Sequence, residues 1–562
     1  VYFLALAADY DGTLADQGVV SAETLEALRA FKRSGRRLLL VTGRELDDLR
    51  RSFPDLPLFD RVIAENGGLL YDSESGRERL LGSPPPAEFV RKLMEKNVAP
   101  ISVGRTIVAT WRPHETAILQ AIQELHLDLQ ITFNKAAVMV LPPGVNKTSG
   151  LKAALDELDL SPHNVVAVGD AENDYGFMAA CGCSAAVANA LPTVAESADI
   201  RLKSDHGAGV VELLREVQAR DMGVAPLSRL GVDIGPDRDG APAYLLPTDT
   251  ALVVGPSGCG KSSFATRFTE LLVDKRFEFC VIDPEGDYEN LRDAIRLGDG
   301  ATPPSTERAI HFLRESGLNL VVNTIAMTLD ERQRLLETFL RALLELRHET
   351  GRPHFLLIDE AHHFLPRSDA EHGEALLSRI PGVVLITVKP ELVARAALAE
   401  IDVVLGAGPV QSAFAAIAEV NGVAAPRGPV PNAGEFLFWR VKDSGPARIV
   451  PNRAPAQPHN RHRGKYAAGD VGRLKGFRFG HLGEDAPCAK NLNDFVRLAA
   501  AVEDGVWLRH LRSGDFAAWF LNVIRDEQLA RTAAEIGSQT GLPTAESRRR
   551  IIESVKERYV LS

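Results

Sequence analysis

The sequence predicts an α/β fold built twice in tandem and followed by a small, mainly α segment, and three observations carry that prediction. Residues 1–217 alternate short apolar runs with amphipathic helical patterns, the rhythm of a parallel sheet with crossover helices. The rhythm restarts near residue 226, within a Pro/Gly/Asp-rich stretch from Gly223 to Pro247, and holds to about residue 450. Beyond residue 465 the pattern is helical, with clustered aromatic residues.

The size fits that division, because 562 residues exceed what one hydrophobic core usually organises. Apolar residues make up 45% and charged residues 25%, the balance of a folded globular chain. Apolar runs such as Leu38–Val41 and Phe355–Ile358 fall far short of the roughly 18–20 residues that span a bilayer. The N-terminus, which opens on Val1, lacks a basic region followed by an apolar stretch, so a cytoplasmic location is expected. Five cysteines with no CxxC pair predict free thiols rather than a disulfide framework or zinc site. A net charge of −11 argues against a uniformly basic nucleic-acid surface and leaves a local patch open.

In the first segment the expected strands are Leu4–Ala8, Arg37–Val41, Arg61–Ala64 and Val165–Val168. Between the proline runs at Ser83–Pro86 and Pro142–Gly144 the rhythm changes, so about 83–142 reads as an inserted cap. In the second segment Thr250–Val254 and His354–Ile358 are the clearest strands. Pro451–Gly464, with the basic cluster Arg461, Arg463 and Lys465 at its end, reads as a linker. The expected divisions are therefore 1–217, 226–450 and 465–562.

Asp9-Tyr10-Asp11-Gly12-Thr13-Leu14 follows the first strand directly, placing two carboxylates at the carboxyl end of a parallel sheet, where open α/β folds build sites. One can act as a nucleophile toward phosphorus and the other as proton donor and acceptor. Alone, such a turn more often caps a helix. Three further elements follow it in order. Thr42-Gly43-Arg44 closes the second strand and offers a hydroxyl and backbone amides to a phosphoryl oxygen, and Lys147 supplies a positive charge. Gly169-Asp170-Ala171-Glu172-Asn173-Asp174 closes the fourth strand with carboxylates suited to a hard divalent cation.

This ordered set resembles the haloacid dehalogenase (HAD) superfamily over roughly the first 215 residues, which implies a Rossmann-like core. The resemblance implies Asp9 as the nucleophile forming an aspartyl-phosphate and Asp11 as general acid and base. It implies that Thr42, Gly43, Lys147 and Asn173 bind phosphate. It also implies Mg²⁺ held by Asp9, Asp170, Asp174 and the main-chain carbonyl of Asp11. Glu65-Asn66-Gly67-Gly68 and the large insertion are similar to the Cof and sucrose-phosphatase branch, whose α/β (C2-type) cap selects the leaving group; the spelling Asp-Tyr-Asp-Gly-Thr-Leu is also similar to trehalose-phosphate phosphatases.

Gly255-Pro256-Ser257-Gly258-Cys259-Gly260-Lys261-Ser262 sits between a strand and a helix, and its spacing is that of a phosphate-cradling P-loop. Lys261 would reach the outer phosphates of ATP and Ser262 the Mg²⁺. The strand His354–Ile358 ends in Asp359-Glu360, with Asp359 expected near the metal and Glu360 expected to polarise water. Leu230–Asp233, Cys280–Tyr288 and Ile386–Pro390 make residues 227–425 similar to the HerA/FtsK branch of P-loop ATPases. That resemblance implies Thr387 as a polar sensor, a hexamer, and an arginine finger for which Arg379 and Arg395 are candidates.

In the last segment Trp507–Leu511, Gly514–Phe520 and an amphipathic helix over Asp526–Ile536 read as helix-packing core rather than a ligand site. Two functions fit the whole. One is a phosphatase for a small phosphorylated metabolite, a sugar phosphate among the options, with an ATP-hydrolysing module that accompanies or regulates it. The other is an oligomeric ATP-driven motor with an accessory phosphatase. The acidic charge favours the first.

Overall fold

Apolar runs buried from end to end need a sheet with both faces covered, and the chain forms two such sheets. The computed structural model describes residues 1–291, 293–367, 377–426, 428–443, 445–456, 466–467, 476–480, 486–524, 526–539 and 541–559. It separates into two units, Val1–Gly231 with Glu345–Arg352, and Val232–Leu344 with Pro353–Ser562.

In the first unit the strands, in chain order, are β1 (Ala5–Asp9), β2 (Arg37–Val41), β3 (Arg61–Ala64), β4 (Leu69–Asp72) and β5 (Glu78–Leu80). Then come β6 (Ser102–Val103), β7 (Val108–Trp111), β8 (Gln130–Asn134), β9 (Ala137–Leu141), β10 (Val165–Gly169), β11 (Cys183–Ala186) and β12 (Ile200–Arg201). The core sheet runs β12-β11-β10-β1-β2-β3-β4-β5, parallel from β12 to β3 and antiparallel at the β4 and β5 edge. Its alternating side chains feed two apolar clusters. Leu6, Leu38 and Val166 belong to one, Ala7, Leu39 and Val165 to the other, as period-2 strands require.

The expected insertion is a small α/β module. Helices Ala87–Glu95 and Glu115–Glu124 accompany a four-stranded antiparallel sheet, β6-β7-β9-β8. Phe89, Leu93, Ile118, Val138 and Val140 give it a core of its own.

In the second unit the strands are β13 (Val232–Pro236), β14 (Pro242–Leu245), β15 (Thr250–Val254), β16 (Phe279–Asp283), β17 (Ile295–Leu297) and β18 (Leu320–Asn323). They continue as β19 (Phe355–Ile358), β20 (Val383–Thr387), β21 (Val403–Gly406), β22 (Glu435–Arg440) and β23 (Arg448–Pro451). The nine-stranded sheet has the order β17-β18-β16-β19-β20-β15-β21-β22-β23. Pro451 therefore closes a strand of this sheet, and Asn452 N–H donates to Gly434 O at 2.7 Å. The expected linker thus begins later than Pro451, because these residues are held by the sheet. Its basic cluster, Arg461, Arg463 and Lys465, lies outside the described residues.

Toward the C-terminus, helices Leu492–Ala501, Asp504–Ser513, Glu527–Ser538 and Thr544–Arg558 surround one apolar cluster containing Phe495, Trp507, Phe516, Trp519 and Phe520. The aromatics are core, as their spacing predicts. All five cysteines are free, and no described helix is long and apolar enough to cross a membrane.

Candidate functional sites

The first site forms where three parallel strands end side by side. Ala8 pairs with Val168 and Asp9 with Val41, so Asp9, Thr42 and Asp170 emerge together at one edge. Asp9, Asp170 and Asp174 are buried, with carboxylate oxygens all within 4.8 Å of one another. Lys147 Nζ donates to Asp9 Oδ1 at 2.5 Å and to Asp174 Oδ1 at 2.6 Å. Lys147 opens the helix Lys147–Glu157, whose N-cap Asn146 forms a capping box with Ser149. A cation is disfavoured at a helix N-terminus; here the two carboxylates hold it. Burial would lower its pKa, but Asp174 and then Asp9 outweigh that and keep the ammonium above its ordinary value. Burial, then Asp174, pushes the Asp9 carboxyl well above the usual carboxylate range, against the pull of Lys147.

Backbone geometry closes the approach. Gly12 has φ +85°, and a Cβ there would lie 2.5 Å from Asp170 Oδ2, so no side chain is tolerated. Thr13 Oγ1 donates to Asp170 Oδ1 at 2.9 Å, and Asp174 Oδ2 accepts the N–H groups of Asp170 and Ala171. Thr42 is buried, and Gly43 faces Met139 of β9. Asp11 stands apart from the carboxylate trio. Its two oxygens accept from Arg44 Nε and Nη2 at 2.7 and 2.6 Å, so a metal-binding role for Asp11 rests on its main-chain carbonyl alone. Asn173 Nδ2 donates to Asn66 Oδ1 at 3.0 Å, which places Asn173 on the Glu65–Gly68 turn rather than in the trio.

That turn joins the insertion to the core. Glu65 is buried and accepts from the N–H groups of Arg105 and Thr106 and from Thr106 Oγ1. From the β8–β9 hairpin, Lys135 Nζ donates to Asp170 Oδ2 at 2.6 Å and Lys135 N–H to Glu172 Oε2 at 3.2 Å. Burial would lower this ammonium too, but Asp170 outweighs it and holds it above its ordinary value. The donor set fits a hard divalent ion such as Mg²⁺: three clustered carboxylates, acceptor-only oxygens, and two lysines as their nearest counter-charge.

The second site lies at the carboxyl edge of the second sheet. Residues 255–260 join β15 to the helix Lys261–Asp274, with Gly255, Gly258 and Gly260 at positive φ. Lys261 Nζ folds onto the carbonyls of Gly255 and Pro256 at 2.9 and 3.0 Å, and Ser262 lies in the first helical turn. Asp359 follows β19 and accepts from Tyr288 Oη at 3.1 Å. Burial, then Glu360, raises its carboxyl well above the usual range. Glu360 has φ +44°, a left-handed conformation uncommon for a residue other than glycine and often found where side-chain aim matters. Asp283 accepts the N–H groups of Glu285, Gly286, Asp287 and Tyr288, which shapes the turn. Burial and then Asp287 push its carboxyl up to about 7. Thr387 ends β20, between the two motif strands, with Oγ1 3.0 Å from His362 Nδ1. Arg379 and Arg395 are both exposed.

A family model described as haloacid dehalogenase-like hydrolase matches residues 6–99 and 112–214. A phosphoglycolate phosphatase from Methanothermobacter thermautotrophicus is 32% identical over 224 residues, 38% of this chain and 97% of the relative. The chain belongs to the haloacid dehalogenase-like hydrolases. A phosphoglycolate phosphatase from Saccharolobus solfataricus is 30% identical, over 39% of this chain and 94% of its own. A solved haloacid dehalogenase-like hydrolase from Bacteroides thetaiotaomicron covers 38% of this chain and 98% of its own, at 18% identity and TM-score 0.34. Residues 248–395 match an AAA domain model. The chain is thus an enzyme, a haloacid dehalogenase-like hydrolase that also carries an AAA-type P-loop domain.

Sequence reasoning singled out the carboxylates, Thr42 and Lys147 of this hydrolase but missed two partners. Lys135 sits in the insertion, 35 residues from Asp170, with no motif around it. Arg44 belongs to the Thr42-Gly43-Arg44 motif, yet its grip on Asp11 depends on how two loops meet.

Proposed function

We propose that the first unit is a Mg²⁺-dependent phosphomonoesterase for a small ester with a second negative group, a phosphoglycolate-like phosphorylated hydroxy acid. The observation that carries the reading is the trio Asp9, Asp170 and Asp174 gathered around Lys147. Asp9 attacks phosphorus, the bond to the leaving oxygen breaks, and Asp11 gives that oxygen its proton. Water then attacks the aspartyl-phosphate with Asp11 taking the proton, which frees Asp9 and phosphate. One oxygen of Asp11 must leave Arg44 to reach the leaving group. Thr42, Gly43 and Lys147 hold the phosphoryl oxygens, with Asn173 steadying the neighbouring turn. Mg²⁺, which Asp9, Asp170, Asp174 and the Asp11 carbonyl would hold, would offset the charge repulsion between nucleophile and phosphate.

The C2-type reading of the insertion is supported by its α/β make-up, and we take it as the element that selects the leaving group. Lys135 brings a cation from the insertion to Asp170, and with Asp170 engaged by Mg²⁺ an anionic leaving group would offer that ammonium a second partner. The relatives' names support a phosphorylated hydroxy acid over a neutral sugar ester. The test is a panel of phosphomonoesters assayed with the full chain, with and without Mg²⁺. Phosphorylated hydroxy acids should be preferred, and Lys135→Ala should raise their KM by about tenfold while leaving that for p-nitrophenyl phosphate nearly unchanged. A preference for neutral sugar phosphates, untouched by Lys135→Ala, refutes the assignment.

The downstream domain is read as an ATPase of the HerA/FtsK kind over about 226–450, with residues 465–562 as a separate helical element. Lys261, Ser262 and Asp359 would hold Mg-ATP, and Glu360 would orient the attacking water. The turn from Asp283 to Tyr288, bonded to Asp359, supports that kinship. The hexamer it implies is tested by measuring mass with and without ATP.

A further inference from the structure

Asp11 would serve the metal only through its main-chain carbonyl, because Arg44 holds its carboxylate, so whatever aims that carbonyl bears on the site. Gly12 follows it in the chain. The Gly12 N–H donates to Ala15 O at 3.1 Å, and in a trans peptide the Asp11 carbonyl then points the opposite way. The next peptide is held as well: Gly12 O accepts from Asn189 Nδ2 at 2.7 Å and lies 3.0 Å from His206 Nδ1. A carbonyl can only accept, so the imidazole carries a proton on Nδ1. With the peptide planes on both sides of Gly12 fixed, the direction of the Asp11 carbonyl is fixed too.

Asn189 also joins this loop to Asp170. It lies between β11 and the helix Pro192–Ser197, and just beyond it Leu191 N–H donates to Asp170 O at 2.9 Å. One short segment thus bonds to the main chain of both loops whose oxygens would meet at the ion. The amide is held at its other end too, since Asn189 Oδ1 accepts from His206 N–H at 2.8 Å. His206 opens the helix His206–Arg220 with φ +50°, a left-handed conformation uncommon outside glycine and kept where the surroundings enforce it. The close packing shows at Gly207, where a Cβ would lie 2.3 Å from Thr24 Oγ1 and 2.9 Å from Leu14 O. The helix is therefore seated on the same turn whose carbonyl its first residue holds.

We propose that Asn189, assisted by His206, is a positioning residue for the divalent ion of the hydrolase site. It aims the Asp11 carbonyl and sets the spacing between the Asp11 and Asp170 loops. Neither side chain touches substrate or ion in this role; each acts through Gly12. Without the Nδ2 donor the peptide after Gly12 is free to turn, and the Asp11 carbonyl with it. Groups that orient metal ligands typically govern metal affinity about 10–100-fold. The inference rests on the Mg²⁺-dependent reading of the site and adds to it the residues that hold the main-chain ligand in place.

Mn²⁺ binding to the full, nucleotide-free chain, read by electron paramagnetic resonance, tests this without turnover. Asp170→Asn identifies the Mn²⁺ bound at this site, since it removes a carboxylate ligand outright. Asn189→Ala should weaken that binding about tenfold, and His206→Ala about threefold. In phosphatase assays the Mg²⁺ needed for half-maximal rate should rise by the same factors, while KM for p-nitrophenyl phosphate at saturating Mg²⁺ stays within about twofold of wild type. A purely structural role would lower Tm in EDTA and leave Mn²⁺ affinity where it was, so an unmoved affinity in Asn189→Ala overturns the proposal. If Asn189→Ala fails to fold, His206→Ala decides on the same ground: a loss of Mn²⁺ affinity supports the proposal and an unmoved affinity overturns it. Mn²⁺ binding that Asp170→Asn leaves intact instead overturns the metal reading on which the proposal rests.

Discussion

Replacing Lys147 with methionine removes a buried charge while nearly keeping the volume. The ammonium is 1% exposed and bonded to Asp9 and Asp174 at 2.5 and 2.6 Å. Removing one partner of a buried ion pair costs about 3–5 kcal/mol, because the other charge is left uncompensated. For a unit of roughly this size each kcal/mol moves Tm by about 2–4 °C, so the first unit's transition should fall by about 6–20 °C. The pH dependence carries a sign. The wild-type Lys147 contribution is complete below the ordinary lysine value of 10.5 and is lost only as pH rises through its higher native value, so it is flat between pH 5 and 9. In Lys147→Met the native carboxylates take up protons at higher pH than unfolded ones, so acidification restores stability. The deficit should therefore be larger at pH 7.5 than at pH 5. Calorimetry of the full chain in EDTA reads both, and excess Mg²⁺ should recover part of the loss by binding the uncompensated carboxylates. If the variant's transitions at pH 7.5 all stay within about 2 °C of wild type, the lysine does not neutralise this cluster, and the argument from buried charge fails.

Three other outcomes are expected. Asp9→Asn should cut phosphatase turnover by about 10⁴-fold or more and leave ATP hydrolysis intact, since asparagine keeps the shape and loses the nucleophile; Mg²⁺-dependent turnover near wild type removes Asp9 from its role. Lys261→Ala should weaken ATP binding, whereas Glu360→Gln should retain binding and slow hydrolysis, as filter binding and phosphate release measure; an unslowed Glu360→Gln excludes Glu360 as the water-polarising group. Asp526 caps the helix Glu527–Ser538 by accepting from Leu529 N–H and pairs with Arg558 and Tyr559; burial would raise its pKa, but Arg558, then Leu529 N–H and Tyr559, outweigh that and lower it. Asp526→Asn keeps a capping oxygen but loses the charge, so it should destabilise the C-terminal helices by about 1 kcal/mol at pH 7, the low figure reflecting solvent around Arg558. That gap should close as pH falls below 3.8 and through the lower native value; a gap that persists in acid points to packing instead.

Both candidate sites are legible in local stretches of the sequence. The strands Arg37–Val41, Arg61–Ala64 and Thr250–Val254 have the ranges their apolar runs predict. Asp9 ends a strand, and Thr42, Asp170, Asp359 and the P-loop each follow one directly, so the chain's local order carries them to the sheet's carboxyl edge. Positive-φ glycines at Gly12, Gly258 and Gly260 mark the same turns. Such features are encoded over a few neighbouring residues, because turn geometry and strand burial are short-range physics.

Packing alone decided the rest. Lys135 resembles any hairpin lysine until β8 and β9 fold over the core and bring it to Asp170. Asn452 stands in a proline-rich stretch that reads as linker, and becomes a wall of the P-loop only because β23 turns back parallel to β15. Asp11 acquires Arg44 by the same kind of long-range meeting. A charged or amide side chain gains its function from whichever partner the fold leaves within hydrogen-bond reach. Sequence spacing does not specify that partner when loops far apart in the chain must meet.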